Sequence, residues 1–503
     1  MPGIQQIHDI PACWAAIRPD AVALIEGERR ISWRELWQSI ERAAAALDTV
    51  GVQPGERLAI VGENCAAQVV LLFAASLRQI WSVPLNARLT TAEIVALSTH
   101  AGARALAFTV AASPAAAQHA RVLAATAWPQ ADDGGLALLL PPTHAGQSVE
   151  PLADDPAERI AALIYTSGTT GQPKGVMLRQ RNLVAVASLS AAVRHLVRED
   201  VAYGVLPMSH VFGLSSVLLA TLHAGACVHL APRFSAQQAW AALAQGVTVL
   251  QGVPTLYVRL LEASAHDAAA RAPALRSLFS GGAPLDPALK GAVEARFALT
   301  LHNGYGLTEN GPSICQTLLE SPRADVAVGP PLPGLELRIL DEQGRAVAAG
   351  SPGHLQVRGP GVMAGYFRAP ELTAEVLRDG WLATGDIVRQ DPDGAVFVLG
   401  RSKEMIIRSG FKVYPLEVEA ALQRLPGVRQ AAVLGEDLGA GDQAVVAFVE
   451  WQAGQARDPA MLRLALQPLL APYKIPTRWV AVAALPVSVA GKILKQELRR
   501  LLG

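Results

Sequence analysis

The stretch Tyr165-Thr166-Ser167-Gly168-Thr169-Thr170-Gly171-Gln172-Pro173-Lys174-Gly175 crowds hydroxyls, glycines and one lysine into a single loop. Such a loop suits a polyphosphate. Glycines let backbone N–H groups approach closely, Ser and Thr hydroxyls donate, and Lys174 adds a point charge. It is not a Walker A loop, which needs Gly-Lys followed by Ser or Thr. Here Pro173 precedes Lys174 and Gly175 follows it.

Other segments carry groups that could serve the same ligand. Asn303-Gly304-Tyr305-Gly306-Leu307-Thr308-Glu309 holds an aromatic face, a hydroxyl and a carboxylate. Tyr305 could stack on a base and Glu309 could hold Mg²⁺ through oxygen. Ser280-Gly281-Gly282-Ala283-Pro284 is a turn that brings bare backbone close to something flat or bulky. Asp386, in Thr384-Gly385-Asp386, reads either as a turn residue or as an acceptor for two ribose hydroxyls. Taken alone, His210 among its apolar neighbours reads as a core histidine, and Lys492 after Gly491 as a solvated lysine.

The elements that must position these groups alternate in type. Ser32-Trp33-Arg34-Glu35 has the form of a capping box, after which Leu36, Ile40, Ala43, Ala44 and Leu47 share one helical face. Leu58 to Val61 reads as a buried strand, Asn64 to Arg78 as a helix, and Ile160 to Tyr165 as the strand that feeds the loop. Alternation of this kind argues for α/β layers with largely parallel sheets. Beyond about residue 325 short β-rich runs dominate, such as Leu335 to Asp341 and His354 to Arg358. The last hundred or so residues have a compact α+β pattern. The fold expected is therefore α/β: a large N-terminal domain of layered α/β subdomains with a β-rich portion, residues 1–400, and a small mobile α+β C-terminal domain, residues 401–503.

Composition narrows the function classes. The chain has 503 residues, 51% apolar and 17% charged, which suits a well-buried enzyme and argues against disorder. Lys+Arg and Asp+Glu both number 43, so net charge gives no case for nucleic acid or an anionic membrane. Cys13, Cys65, Cys227 and Cys315 form no CxxC pair and read as free thiols in a reducing compartment. No secretory pattern opens the sequence, and the apolar span from Gly213 to Ala231 is interrupted by His223, Gly225 and His229. The expectation is a cytoplasmic protein without membrane insertion or a nucleic-acid partner; oligomeric state is left open.

Tyr-Thr-Ser-Gly-Thr-Thr-Gly, Tyr-Gly-Leu-Thr-Glu, Thr-Gly-Asp, Gly-Arg-Ser-Lys and Gly-Lys occur here in one order. In that set the chain resembles the adenylate-forming superfamily: acyl- and aryl-CoA synthetases, luciferases and the adenylation domains of nonribosomal synthetases. The resemblance runs from Ile31 to Leu498. It implies an acid–thiol ligase that uses ATP, Mg²⁺ and coenzyme A. Thr166, Ser167, Gly168, Thr169, Thr170, Gly171 and Lys174 would hold the β- and γ-phosphates. Gly281, Gly282 and Ala283 would line the adenine and acyl site, Tyr305 would stack on adenine, Thr308 would contact the α-phosphate, and Glu309 would bind Mg²⁺. Asp386 and Arg401 would take the ribose hydroxyls, Lys403 would be the hinge, and Lys492 would bridge the attacking carboxylate and the α-phosphate. His210 would gate the acyl entrance, and Ser409, Gly410 and Phe411 would face pantetheine.

The family pattern also puts the acyl pocket near Val211, Phe212, Leu214, Ser215, Ala283, Asn303, Pro312, Ser313 and Ile314. None is basic, which implies a monocarboxylate with an apolar tail, aryl or medium-chain acyl. Loading of a carrier protein is the alternative enzyme reading, a luciferase-like oxygenase a third, and a non-catalytic nucleotide-binding module the reading from another class. Two departures stand out: Gln79 where the family usually has Gly, and Ala490 where it usually has Thr before Gly-Lys.

Overall fold

The computed structural model describes residues 3–131, 135–141, 149–166, 174–264, 270–408, 411–439, 442–452, 454–455, 458–487 and 493–502. Two eight-stranded sheets form the body of the molecule. One runs, in spatial order, Ser313–Gln316, Leu301–Gly306, Ser277–Ser280, Val249–Gly252, Val201–Gly204, Cys227–Leu230, Val22–Glu26 and Arg29–Ser32. Its middle pairings are parallel and its outermost pairing at each edge is antiparallel. The other is centred on Ile160–Thr166, Trp81–Asn86, Arg57–Gly62 and Ala105–Phe108.

The helices Trp33–Thr49, Ala66–Leu77 and Gln180–Val193 contribute to one apolar core that also takes in residues of both sheets. Trp33, Leu36, Ile40, Ala43, Ala44 and Leu47 all lie in it, so the expected apolar stripe is the buried face. The capping box forms as read. Ser32 Oγ accepts from the Glu35 N–H at 3.2 Å, and Glu35 Oε2 accepts from the Ser32 N–H at 2.8 Å. A cap of this kind contributes about 1 kcal/mol.

The β-rich portion is a five-stranded sheet containing Glu336–Leu340, Gly353–Arg358, Trp381–Gln390 and Val396–Arg401. The C-terminal portion has its own core, built on Ile406, Val418, Leu422, Val433, Val449 and Leu466. There Val428–Gly439, Asp442–Trp451 and Arg478–Val482 form a three-stranded sheet flanked by the helix Pro415–Gln423. The architecture is the α/β class expected, with a small second domain. Among the described residues no helix is long and apolar enough to cross a membrane.

Gln79 occupies a left-handed corner, φ +60°, between the helix Ala66–Leu77 and the strand Trp81–Asn86. Its N–H donates to Ser76 O at 3.0 Å and its carbonyl accepts from the Gly55 N–H at 2.9 Å, so the backbone is pinned there. A non-glycine residue in this conformation costs about 1–2 kcal/mol. Glycine's extra freedom in the unfolded chain returns about 0.5–1 kcal/mol of that. Gln79→Gly should therefore raise unfolding stability by up to about 1.5 kcal/mol. Urea titration at equal slope checks this; an unchanged midpoint would mean that the corner is unstrained.

Candidate active site

Several candidate residues lie at the carboxyl ends of the parallel strands, where open α/β sheets bind ligands. Gly281, Gly282 and Ala283 follow the strand Ser277–Ser280, and Asn303, Gly304 and Tyr305 lie on its neighbour Leu301–Gly306. Space dictates one glycine here and crowds a second. A Cβ on Gly306 would sit 1.8 Å from Pro312 O, and one on Gly281 would meet the Phe212 ring and Gly304 O, each at 3.3 Å. Gly282 holds φ +79°. Bare backbone at Gly281 and Gly282 thus faces the Phe212 ring.

Tyr305 reaches across to the β-rich sheet, where its hydroxyl donates to Asp386 Oδ2. Asp386 is buried, 3% exposed, on the strand Trp381–Gln390, directly opposite Arg401 on Val396–Arg401. Arg401 Nε lies 2.8 Å from Asp386 Oδ1, and its Nη1 donates to Thr384 O at 3.3 Å. The Asp386 N–H donates to Thr384 Oγ1 at 3.1 Å, and that hydroxyl donates to Leu355 O at 2.9 Å. Burial, and then the negative charge of Asp386, hold the Tyr305 phenol well above its ordinary pKa, so it stays a donor. One ring, one carboxylate and one guanidinium are thereby locked together from two different sheets.

A second group lies on the phosphate-loop side. Glu309, on the short 3₁₀ turn Thr308–Asn310, accepts from the Tyr366 hydroxyl at 2.8 Å. Lys174 Nζ sits 5.0 Å from the centroid of the same Tyr366 ring. Burial, then Glu309, push the Tyr366 phenol up as well. Tyr366 therefore ties the residue closing the phosphate loop to the expected metal ligand, a role the sequence reading did not give it. Thr308 is buried. Thr166 ends the strand Ile160–Thr166, and Lys174 opens the antiparallel strand Lys174–Arg179, which pairs with it. The remaining loop candidates, Ser167, Gly168, Thr169, Thr170 and Gly171, lie outside the described residues, as do Ser409, Gly410 and Lys492.

No group of three or more His, Cys, Asp or Glu side chains converges on a metal position among the described residues. Glu309 is one partly exposed carboxylate. That suits Mg²⁺, which takes one or two carboxylates and fills its octahedron with substrate phosphates and water.

His210 stands at the start of a helical turn whose 212–219 portion has π-helical hydrogen bonding. Its Nδ1 accepts from the Phe212 N–H at 3.3 Å, which places the proton of a neutral ring on Nε2. The loop before it is held by Asn64, which the sequence reading gave only as the start of a helix and which here precedes the helix Ala66–Leu77. Asn64 Nδ2 donates to Gly204 O at 2.9 Å and Leu206 O at 2.8 Å, and its Oδ1 accepts from the Met208 N–H at 3.0 Å.

The expected acyl-pocket residues separate into two groups. Val211, Leu214 and Ile314 are fully buried in the main core, and Ser215 is buried beside them. Phe212 faces Gly281, while Ser313 Oγ lies 3.0 Å from Ser216 Oγ. Asn303 is spent on backbone: its Nδ2 donates to Val326 O at 2.8 Å and its Oδ1 accepts from the Gly304 N–H at 3.1 Å. Pro312 O accepts from the Leu307 N–H at 2.9 Å. In the small domain Phe411 is 54% exposed and stacks on Tyr473 with centroids 4.5 Å apart. Lys403 lies exposed in the turn Ser402–Glu404, between the β-rich sheet and the small domain.

Comparison with known proteins agrees with this geometry. The family model for the AMP-binding enzyme matches residues 12–367, and that for the AMP-binding enzyme C-terminal domain matches 417–492. A feruloyl-CoA synthase of Amycolatopsis is 35% identical over 507 aligned residues, covering 99% of both chains. A 4-coumarate–CoA ligase of Oryza sativa is 32% identical, covering 99% of this chain and 93% of its own length. The crystal structure of ATP-bound MatB from Rhodopseudomonas palustris superposes with a TM-score of 0.84 at 31% identity, over 98% of each chain. The chain belongs to the AMP-binding enzyme family of adenylate-forming ligases.

Proposed function

We propose that this enzyme is an AMP-forming acid–CoA ligase acting on an aryl or medium-chain acyl monocarboxylate. In the first half-reaction an acid oxygen attacks the α-phosphorus of ATP, the bond to the β-phosphate bridging oxygen breaks, and pyrophosphate leaves. In the second a thiolate attacks the acyl carbon of the adenylate and AMP leaves with the bonding pair. The observation that carries this reading is the locked cluster of Tyr305, Asp386 and Arg401 beside Glu309, Tyr366 and Lys174. It offers a base-stacking ring, a ribose acceptor and a phosphate-side cation in two clusters that interact electrostatically through Arg401, Glu309 and Tyr366.

Within that reading Asp386 accepts from the ribose hydroxyls and Arg401 orients its carboxylate. Thr166 to Lys174 and Thr308 donate to phosphate oxygens. Glu309 would hold Mg²⁺, which when bound neutralises phosphate charge. Lys492 bridges the attacking carboxylate and the α-phosphate, and His210 gates the acyl entrance. Ser409, Gly410 and Phe411 meet pantetheine; the exposure of Phe411 leaves it available for that contact. The relatives named for ferulate and coumarate favour the aryl option. Four cysteines that form no disulfide fit a cytoplasmic setting. The test is release of pyrophosphate from ATP with a panel of benzoates, cinnamates and fatty acids, followed by addition of CoA or a carrier protein. No pyrophosphate with any acid would defeat the proposal, and thioester formation on the carrier alone would select the alternative acceptor.

We place the domain boundary at 401–403. Arg401 ends a strand of the β-rich sheet, and the next strand, Ile406–Arg408, belongs to the small domain. A cap that must present one face for adenylation and another for the thiol has to turn there, with Lys403 as the hinge. Lys403→Pro, by fixing φ, should slow thioester formation from supplied acyl-adenylate much more than adenylation. Equal losses in both half-reactions would place the hinge elsewhere.

A further inference from the structure

Arg194, at the end of the helix Gln180–Val193, is 4% exposed, and no carboxylate lies within ion-pairing distance of it among the described residues. Its guanidinium is held by neutral groups only. Nε donates to Gln316 Oε1 at 2.8 Å, and Nη1 donates to Gln251 Oε1 and to Ser216 O, both at 2.6 Å. The guanidinium carbon lies 5.2 Å from the centroid of the Phe279 ring. Burial lowers its pKa to about 9, so the group is still cationic at neutral pH. A buried cation without a counter-charge is costly unless its surroundings compensate it.

The amides around it are left half-used. Gln251 Nε2 and Gln316 Nε2 are buried and make no hydrogen bond among the described residues. Gln251 and Gln316 have spent their carbonyl oxygens on Arg194, so what remains on those amides is donors. The same cluster borders the candidate acyl site. Gln316 is the strand partner of Gly304, and Ser216, whose carbonyl Arg194 holds, touches Ser313. A cation and spare amide N–H donors there call for an acceptor.

We propose that this cluster is the far-end subsite of the acyl pocket, and that the preferred acid carries at that end an oxygen that accepts hydrogen bonds. This rests on the ligase reading and sharpens it. A hydrocarbon tail would leave the donors unpaired, whereas a ring hydroxyl would satisfy them; a second carboxylate would too, and would replace the monocarboxylate proposed above by a dicarboxylate while leaving ligation itself unchanged. A site built to hydrogen-bond an oxygen rejects the analogue lacking it far more strongly than an apolar slot rejects a missing methylene.

The experiment compares kcat/KM for matched acids: cinnamate, 4-hydroxycinnamate and 4-carboxycinnamate, and the corresponding benzoates. The wild type should prefer an oxygenated acid over its hydrocarbon partner by at least about tenfold. Whether hydroxyl or carboxylate wins identifies the source of the oxygen. Arg194→Met should collapse that ratio toward one, with the ATP-induced shift in melting temperature showing that the fold persists. The near-isosteric Gln251→Met should move the ratio in the same direction, and it serves if Arg194→Met does not fold. A wild type indifferent to the oxygen, or ratios that survive both substitutions, would overturn the proposal while leaving ligation intact. Absence of turnover with every acid would instead overturn the ligase reading and this inference with it.

Discussion

Replacing Lys492 by alanine is expected to slow acyl-adenylate formation by about a hundredfold or more and to leave thioester formation from supplied acyl-adenylate largely intact. The split follows from where charge builds. In the first half-reaction an anionic carboxylate approaches an anionic triphosphate, and negative charge accumulates on the phosphoryl oxygens. A cation bridging the two anions is worth most at that moment, and deleting one matched donor typically costs about 3–4 kcal/mol of barrier. In the second half-reaction the mixed anhydride is already formed, and the lysine has no charge of this kind to neutralise. Acid-dependent pyrophosphate exchange reads the first step, and CoA capture of synthetic acyl-adenylate reads the second. Equal loss in both would remove Lys492 from the proposed role. Lys495 makes an informative contrast. Its ammonium lies 2.9 Å from Glu404 and 3.0 Å from Glu419, and these two carboxylates outweigh burial in holding its pKa above the usual lysine value. It anchors the segment after Lys492 to the hinge side of the small domain.

The difference between what sequence reveals and what it conceals is one of range. The capping box at Ser32 and the buried strands rest on residues a few positions apart, and they form as read. Asp386 and Arg401 were assigned one at a time through their resemblance to a family. Only the folded sheet shows them opposite each other, with the Tyr305 hydroxyl on the remaining carboxylate oxygen. The roles of Tyr366, Asn64 and Arg194 were missed because their partners are remote in sequence: 57, 140 and 122 positions away for Glu309, Gly204 and Gln316. No local pattern encodes such distances. The pocket residues show the same limit. Val211 and Leu214 flank Phe212 in sequence, but helical hydrogen bonding turns them into the core while Phe212 faces Gly281. The expected pocket residues include no cation, and only the folded chain brings Arg194, at the end of a helix, against Ser216 beside Ser313.

Asp386→Ala is expected to weaken use of ATP by about a hundredfold in kcat/KM, and the loss should reside in the ribose hydroxyls. Each hydrogen bond to a charged acceptor contributes about 1.5–3 kcal/mol. Losing two at the lower end is about 3 kcal/mol, or roughly two factors of ten. The same substitution removes the acceptor of the Tyr305 hydroxyl and the partner of Arg401, so about 1–3 kcal/mol of folding stability should go with it. A simple loss of activity would not separate these effects, but the nucleotide can. With 2′,3′-dideoxy-ATP the wild type should fall to nearly the level of the variant with ATP, while the variant should barely distinguish the two nucleotides. The coupling between residue and hydroxyls is then the non-additive part of that cycle. If the variant loses as much again on removal of the hydroxyls, they bind elsewhere. Asp386 would then be a structural brace for Tyr305 and Arg401, its carboxylate joining two sheets without touching the nucleotide.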